Sequence, residues 1–112
     1  MAFLKIYKWE RETYPEFQKI EIGRSDAPKY FKKFARHFKV IEPILLKRTK
    51  QSGGAYFRDY IGIALPKTTY FGVIIHEFAH HLADQKTRSR NGHNKRFKRA
   101  LKQVYSFAKR YI

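Results

Sequence analysis

The sequence predicts an α+β fold in which a small, mainly antiparallel sheet packs against two helices. Three observations predict it. Residues 68–86 carry apolar side chains nearly all round a helix. Residues 94–111 place Phe97, Leu101, Val104, Ala108 and Tyr111 on one helical face. Short aromatic and β-branched runs, punctuated by Gly and Pro, precede both.

Taken in order, residues 3–9 alternate as a strand does, with Phe3, Lys5, Tyr7 and Trp9 on one face and Leu4, Ile6 and Lys8 on the other. Residues 17–22 (FQKIEI) suit a partner strand, so residues 1–25 are expected to form a β extension on a core of residues 26–112, the whole chain (1–112) being one domain. Asp26 can N-cap a helix with Pro28 in its first turn. Tyr30, Phe31, Phe34 and Phe38 recur at helical spacing to about Val40, with Lys32, Lys33, Arg36 and Lys39 facing solvent. Residues 44–50 read as a strand and residues 51–54 (QSGG) as a turn. A hairpin follows, one strand to about Arg58 and the other through residues 61–65, ended by Pro66. Thr68 or Thr69 is the expected cap of the apolar helix, which runs to about Lys86. Residues 87–92 (TRSRNG) form a basic loop before the last helix.

With 112 residues, 43% of them hydrophobic, the chain is long enough for one packed core. It has no cysteine, which excludes disulfides and thiolate metal sites and leaves His and carboxylates as the only ligands for a metal. No secretory leader or membrane span is expected, and the chain reads as cytoplasmic. The net charge is +16, and residues 85–112 carry ten Lys or Arg and no Asp or Glu. Such a balance favours polyanions. Arg88, Arg90, Lys95, Arg96, Lys98, Arg99 and Lys102 are the candidate contacts to DNA or RNA.

His76-Glu77-Phe78-Ala79-His80 matches the pattern H-E-x-x-H. Residues four apart share a helix face, so both imidazoles can reach one ion. Glu77 is rotated by about 100° from His76, where its carboxylate can take a proton from water activated by the metal without being a ligand. Unpartnered imidazoles and a carboxylate in the most apolar helix of a polar chain would be costly. A catalytic zinc needs a third protein ligand, and no Glu follows Glu77. His93, after the Gly-containing loop, is the strongest candidate. Asp84 suits a supporting role, accepting a ring N–H from a ligand. His81 points away and reads as a surface or packing residue, and His37 as exposed or structural. Tyr105 and Tyr111 are candidates for stabilising an oxyanion or for closing the cleft in a latent form, with core packing the alternative for Tyr111. The expected cofactor is one Zn2+ per chain and the expected partner a protein or peptide substrate. A different class of function fits the same residues: a basic nucleic-acid-binding module whose zinc is structural, closed by Asp84 or His81 as fourth ligand.

The stretch from Gly54 to about Leu101 resembles the SprT-like metallopeptidases of the zincin group. Gly54-Ala55-Tyr56-Phe57 with Ile61-Gly62-Ile63-Ala64-Leu65 is similar to the family's hairpin, residues 73–80 to its active helix, and residues 92–101 to its His-Gly-x-x-Phe region. The resemblance implies a zinc-dependent endopeptidase with a zincin-like minimal catalytic domain, His93 as third ligand and Glu77 as general base. It also implies that an edge strand, residues 60–65 or its hairpin partner, aligns an extended peptide. Known members act on DNA-linked proteins. This chain departs from the family in placing Gly92 before His93 and in lacking the cysteines of a zinc ribbon.

Overall fold

The computed structural model describes residues 2–46, 54–87 and 93–112. The fold is α+β. Helix α1 (Ala2–Thr13) leads through a 3-10 turn (Pro15–Gln18) to strand β1 (Glu21–Gly23) and helix α2 (Ala27–Phe38). Strands β2 (Ile44–Leu45), β3 (Ala55–Phe57), β4 (Gly62–Ala64) and β5 (Thr68–Tyr70) precede helices α3 (Phe71–Thr87) and α4 (Lys95–Ala108). Among the described residues no helix is long and apolar enough to cross a membrane.

The start of the chain is a helix, not the expected strand and β extension. Alternation over seven residues fits either structure. What decides is the burial of Ile6, Glu10 and Tyr14, spaced four apart on one helix face. One member of that buried stripe is a carboxylate, so a count of apolar residues does not see it. The supposed partner strand splits in the same way. Phe17 is fully buried in the 3-10 turn, and only Glu21–Gly23 is extended.

Two small sheets stand where one mainly antiparallel sheet was expected. Strand β1 pairs antiparallel with β5, Ile22 opposite Thr69. The other sheet is mixed, in the order β2-β4-β3, with β2 parallel to β4 and β3 antiparallel to it. The hairpin falls where its pattern predicts, turning through Arg58–Tyr60. At its end Ile61 takes a left-handed backbone with φ 48°, a costly conformation for a β-branched residue. Residues 47–53 and 88–92, which hold most of one expected strand, its turn and most of the basic loop, lie outside the described residues.

Thr68 and Thr69 do not cap α3. Being β-branched, they extend the ladder with β1. The ladder then hands over directly to the helix, because the Phe71 N–H donates to the Ile20 carbonyl at 2.8 Å. Asp26 makes no side-chain cap either, since a 3-10 turn (Arg24–Asp26) runs straight into α2. Helix α4 does carry a side-chain cap, the Asn94 side chain accepting from the Phe97 N–H at 2.9 Å.

Helix α3 is the axis of the core. Phe71, Ile74, Ile75, Phe78 and Ala79 are essentially unexposed. Phe34 of α2 meets Phe78 edge-on with ring centroids 5.3 Å apart, and Phe17 meets Phe71 in the same way at 5.4 Å. Leu101, Val104 and Tyr105 of α4 are also fully buried. A helix enclosed on all sides has a fixed position and rotation, and so do the polar side chains it carries.

Candidate metal centre

His76, His80 and His93 each offer a ring nitrogen, and these atoms all lie within 4.8 Å of one another. Two of the residues are set by the four-residue spacing on α3. The third is delivered by the turn that opens α4, whose cap at Asn94 fixes the start of that helix. Phe97 packs against all three rings, stacking on His80 with centroids 4.1 Å apart. The three histidines expected from the sequence are therefore brought together in a position to hold a metal ion.

The residue that orients this cluster is one the sequence reading did not select. Glu10 of α1 is buried, and its Oε2 accepts from His76 Nδ1 at 2.8 Å. With that N–H committed to a carboxylate, Nε2 is the nitrogen left to face the cluster, and it lies 3.1 Å from His93 Nε2. Glu10 Oε1 accepts from the Tyr105 hydroxyl at 2.7 Å. Gln18 Nε2 in turn donates to the Tyr105 oxygen at 3.0 Å. Above the cluster, Tyr7 of α1 stacks on His76 with centroids 5.0 Å apart and meets His93 edge-on at 5.6 Å.

Electrostatics separates the three rings. Burial lowers the His76 pKa, but the hydrogen bond and charge of Glu10, with the charge of Glu77, outweigh it and hold it above the usual value. Burial pushes His80 down to about 3, helped by positive charge on His76 and His93. His93 is lowered by burial and by His76, against a partial offset from Glu10. Two of the three imidazoles thus stay neutral with a free electron pair across the neutral range, as ligands must.

These donors fit zinc. In a tetrahedral centre with Zn–N bonds of ~2.0–2.1 Å, ligand nitrogens stand about 3.3 Å apart; His76 and His93 are 3.1 Å apart and the three ring nitrogens lie within 4.8 Å, so small ring movements would bring them to that spacing. Three imidazoles and no thiolate are the donor set of an open, catalytic type of site rather than of the usual closed structural one. The carboxylate on His76 supplies the fixed tautomer that ligating histidines typically have.

Glu77 lies beside the cluster, 6% exposed. Burial raises its pKa from 4.5 to about 7; the charge of His76 opposes the rise, that of Glu10 adds to it, and the Tyr56 backbone N–H donates to it. A carboxyl group tuned to that range can both take and return a proton near neutrality.

Several expected residues stand elsewhere. Asp84 does not support a ligand histidine. It sits two turns along α3, where Oδ2 accepts from the Tyr56 hydroxyl at 3.0 Å and Oδ1 pairs with Arg58 Nε at 2.8 Å. His81 is fully buried, which matches the packing alternative and not the surface one. Burial keeps it neutral, its Nε2–H donates to the Ile41 carbonyl at 2.6 Å, and Nδ1 is 3.1 Å from the Tyr56 hydroxyl. Neither residue therefore stands as a fourth ligand. Together they fasten β3 to α3, which holds the Tyr56 N–H against Glu77. Tyr105 is fully buried with its hydroxyl committed to Glu10, so it neither faces an oxyanion nor closes a cleft. Tyr111 packs edge-on against Tyr30 and Phe107, the core role its position on the apolar face predicts.

The basic residues gather on the far side of α4. Arg96, Arg99 and Lys102 line a groove of about 800 Å³ with Lys86 and Arg110, opposite His37 and Phe38 of α2. His37 is exposed and stacks on Phe107 at 3.8 Å. An adjoining cleft adds Lys29, Lys32, Lys33 and Arg36, four cations of α2 that the sequence reading did not associate with α4. Neither lining contains an Asp or Glu. Lys98 is engaged differently, its ammonium lying 4.8 Å above the Trp9 ring. Lys95 is exposed and is in neither lining, and Arg88 and Arg90 lie outside the described residues.

Two outcomes follow from this geometry. Glu10→Gln keeps the shape but removes the charge behind His76. It is expected to weaken zinc binding about 10–100-fold, measured by competition with a chromogenic chelator; unchanged affinity would show that Glu10 has no hold on the ligand. For Glu77, a raised carboxylate pKa means that the folded chain keeps a proton the unfolded chain has lost. Stability is then full below pH 4.5 and declines up to about pH 7. In metal-free protein, Glu77→Gln should therefore gain stability over wild type across that interval, on the order of 2 kcal/mol at pH 8 and nothing at pH 4. Urea titrations at both values check this, and equal gains at the two pH values would contradict it.

No protein-family model, curated protein or solved structure matches the chain, so what this centre does is argued from its own residues.

Proposed function

We propose that the chain is a zinc-dependent endopeptidase of the SprT-like, zincin type. The observation that carries the reading is the convergence of His76, His80 and His93 within 4.8 Å beside a buried Glu77 on the same helix. His76, His80 and His93 would hold the ion, with Glu10 fixing the first of them. Bound there, zinc supplies a Lewis acid that polarises a peptide carbonyl and acidifies water. Glu77 takes the proton from the attacking water and passes it to the departing amine nitrogen, which its pKa near 7 allows in both directions. The Tyr56 N–H and Gly54, two residues earlier, bear on that carboxylate: a Cβ at Gly54 would come within 3.1 Å of Glu77 Cγ. Strand β3 is an edge among the described strands. It can align an extended peptide through its backbone, next to the helix that carries the base.

Glu77→Gln is the decisive variant. Zinc content should stay at one per chain, and cleavage of an unfolded protein such as casein should fall about 10²–10⁴-fold. Undiminished cleavage by a variant free of contaminating protease would sink the peptidase reading.

A second property is favoured by a separate observation, the acid-free groove between α2 and α4. We propose that it takes the phosphate backbone of nucleic acid. The alternative of a purely structural zinc loses support because the two residues expected to supply a fourth ligand, Asp84 and His81, are engaged with Arg58, Tyr56 and Ile41. Binding of a fluorescent oligonucleotide should weaken steeply with salt. The pair Arg99→Glu and Lys102→Glu should lower affinity at least tenfold at ~0.1 M salt. A flat salt response, or full affinity in the paired variant, would count against the groove.

A further inference from the structure

The support behind the metal centre does not end at Glu10. In the turn between α1 and β1, Gln18 Nε2 lies 3.3 Å from the Tyr14 carbonyl and 3.0 Å from the Tyr105 hydroxyl. A carbonyl only accepts, so the carboxamide nitrogen is the atom placed there, and it donates in both directions. The Tyr105 oxygen, having accepted from Gln18, keeps one proton to give, and that proton goes to Glu10 Oε1, 2.7 Å away. With Oε1 occupied, Oε2 is left for the Nδ1–H of His76 at 2.8 Å. We infer that Gln18 and Tyr105 are positioning residues of the metal centre: through Glu10 they fix the His76 ring, and Gly72 carries no side chain so that the Gln18 carboxamide can reach its place.

Two further observations support this. The first is the packing of Tyr105. Its side chain is unexposed, lies flat on the Tyr14 ring with centroids 3.9 Å apart, and meets Phe17 edge-on at 5.2 Å. Held on these sides, its hydroxyl is a fixed donor, and a fixed donor holds one oxygen of a carboxylate that could otherwise turn. The second is Gly72. It stands in the first turn of α3, although glycine is a poor helix former. A Cβ there would collide with the Gln18 carboxamide, standing 2.6 Å from its Nε2. The atoms in the way are the far end of a flexible side chain. A methyl group at position 72 therefore displaces the carboxamide and leaves the backbone in place. The space is kept for the carboxamide, whose N–H groups set the direction of the chain of bonds from Tyr105 to His76.

Two measurements on the whole chain test the inference. One is zinc affinity, by competition with a chromogenic chelator. The other is the His76 Nδ1–H signal in proton–nitrogen correlation spectra of metal-free protein. Gln18→Ala and Gly72→Ala should each weaken zinc binding about three- to tenfold, less than Glu10→Gln does, because each acts at one remove from the carboxylate. Both should move the His76 signal, which marks the hydrogen bond to Glu10, and leave the ring signals of His80 and His93 in place. A general loosening of the fold would move all three. Added to Gln18→Ala, Gly72→Ala should cost nothing more, because the group that it displaces is already gone. Added to Glu10→Gln, neither should cost more. Tyr105→Phe should follow the same pattern with a loss of about tenfold; if it does not fold, the two smaller substitutions carry the test. Full zinc affinity or an unmoved His76 signal in folded Gln18→Ala or Gly72→Ala overturns the inference, and so does a loss that multiplies with that of Glu10→Gln. The inference rests on the histidine cluster and not on peptide cleavage. These effects in a protein that cleaves nothing remove the peptidase reading and leave the positioning role. Cleavage by Gln18→Ala with the zinc affinity and His76 signal of wild type removes the positioning role and leaves the peptidase.

Discussion

A buried carboxylate on the first helix governs the arrangement of the whole centre. Glu10 is 4% exposed, and an ionised group in such a place must be paired or it will be expelled. Here it has two partners from two other helices, His76 of α3 and Tyr105 of α4. Loss of one partner from a buried pair typically costs about 3–5 kcal/mol, while the intact pair adds little net stability. Its value is positional. It fixes the His76 ring and ties three helices to a common point, against which Tyr7 of the same helix then packs.

Charge is distributed with the same logic. Of nine acidic residues, Glu10, Glu77 and Asp84 are buried. In a chain of +16, Glu10 and Glu77 bring carboxylates to the place where a divalent cation would otherwise be repelled, Asp84 is matched to Arg58, and the outer faces of α2 and α4 are left to cations. The groove on those faces and the metal centre have no lining residue in common, so the two can be occupied at once.

How much of this is legible in the sequence depends on the length scale of each interaction. His76, Glu77 and His80 are readable because a helix converts a four-residue spacing into one face, and His93 because a loop of the right length can return it. Glu10 is not readable, because it lies 66 positions from its partner and sits in a segment whose alternation imitates a strand. Asp84 is misread for a related reason. Its position on α3 is correctly given, but its partners Tyr56 and Arg58 come from a strand whose docking no local pattern records. Thr68 and Thr69 have the composition of helix caps, and pairing with β1 overrides it. The α4 groove was legible as charge, but its second wall on α2 was not, because charge runs carry no information about which helices meet.

The separation of Glu10 from its partners also bears on synthesis. A nascent chain that ends before His93 already holds the two imidazoles of α3 and the carboxylate behind them, yet lacks the third imidazole. Tyr105, which lies 95 positions from Glu10, emerges later still. Contacts of that span carry the larger loop-closure cost and are intrinsically slow to form. A chain cut before His93 therefore carries the motif of α3 without the cluster that it helps to form.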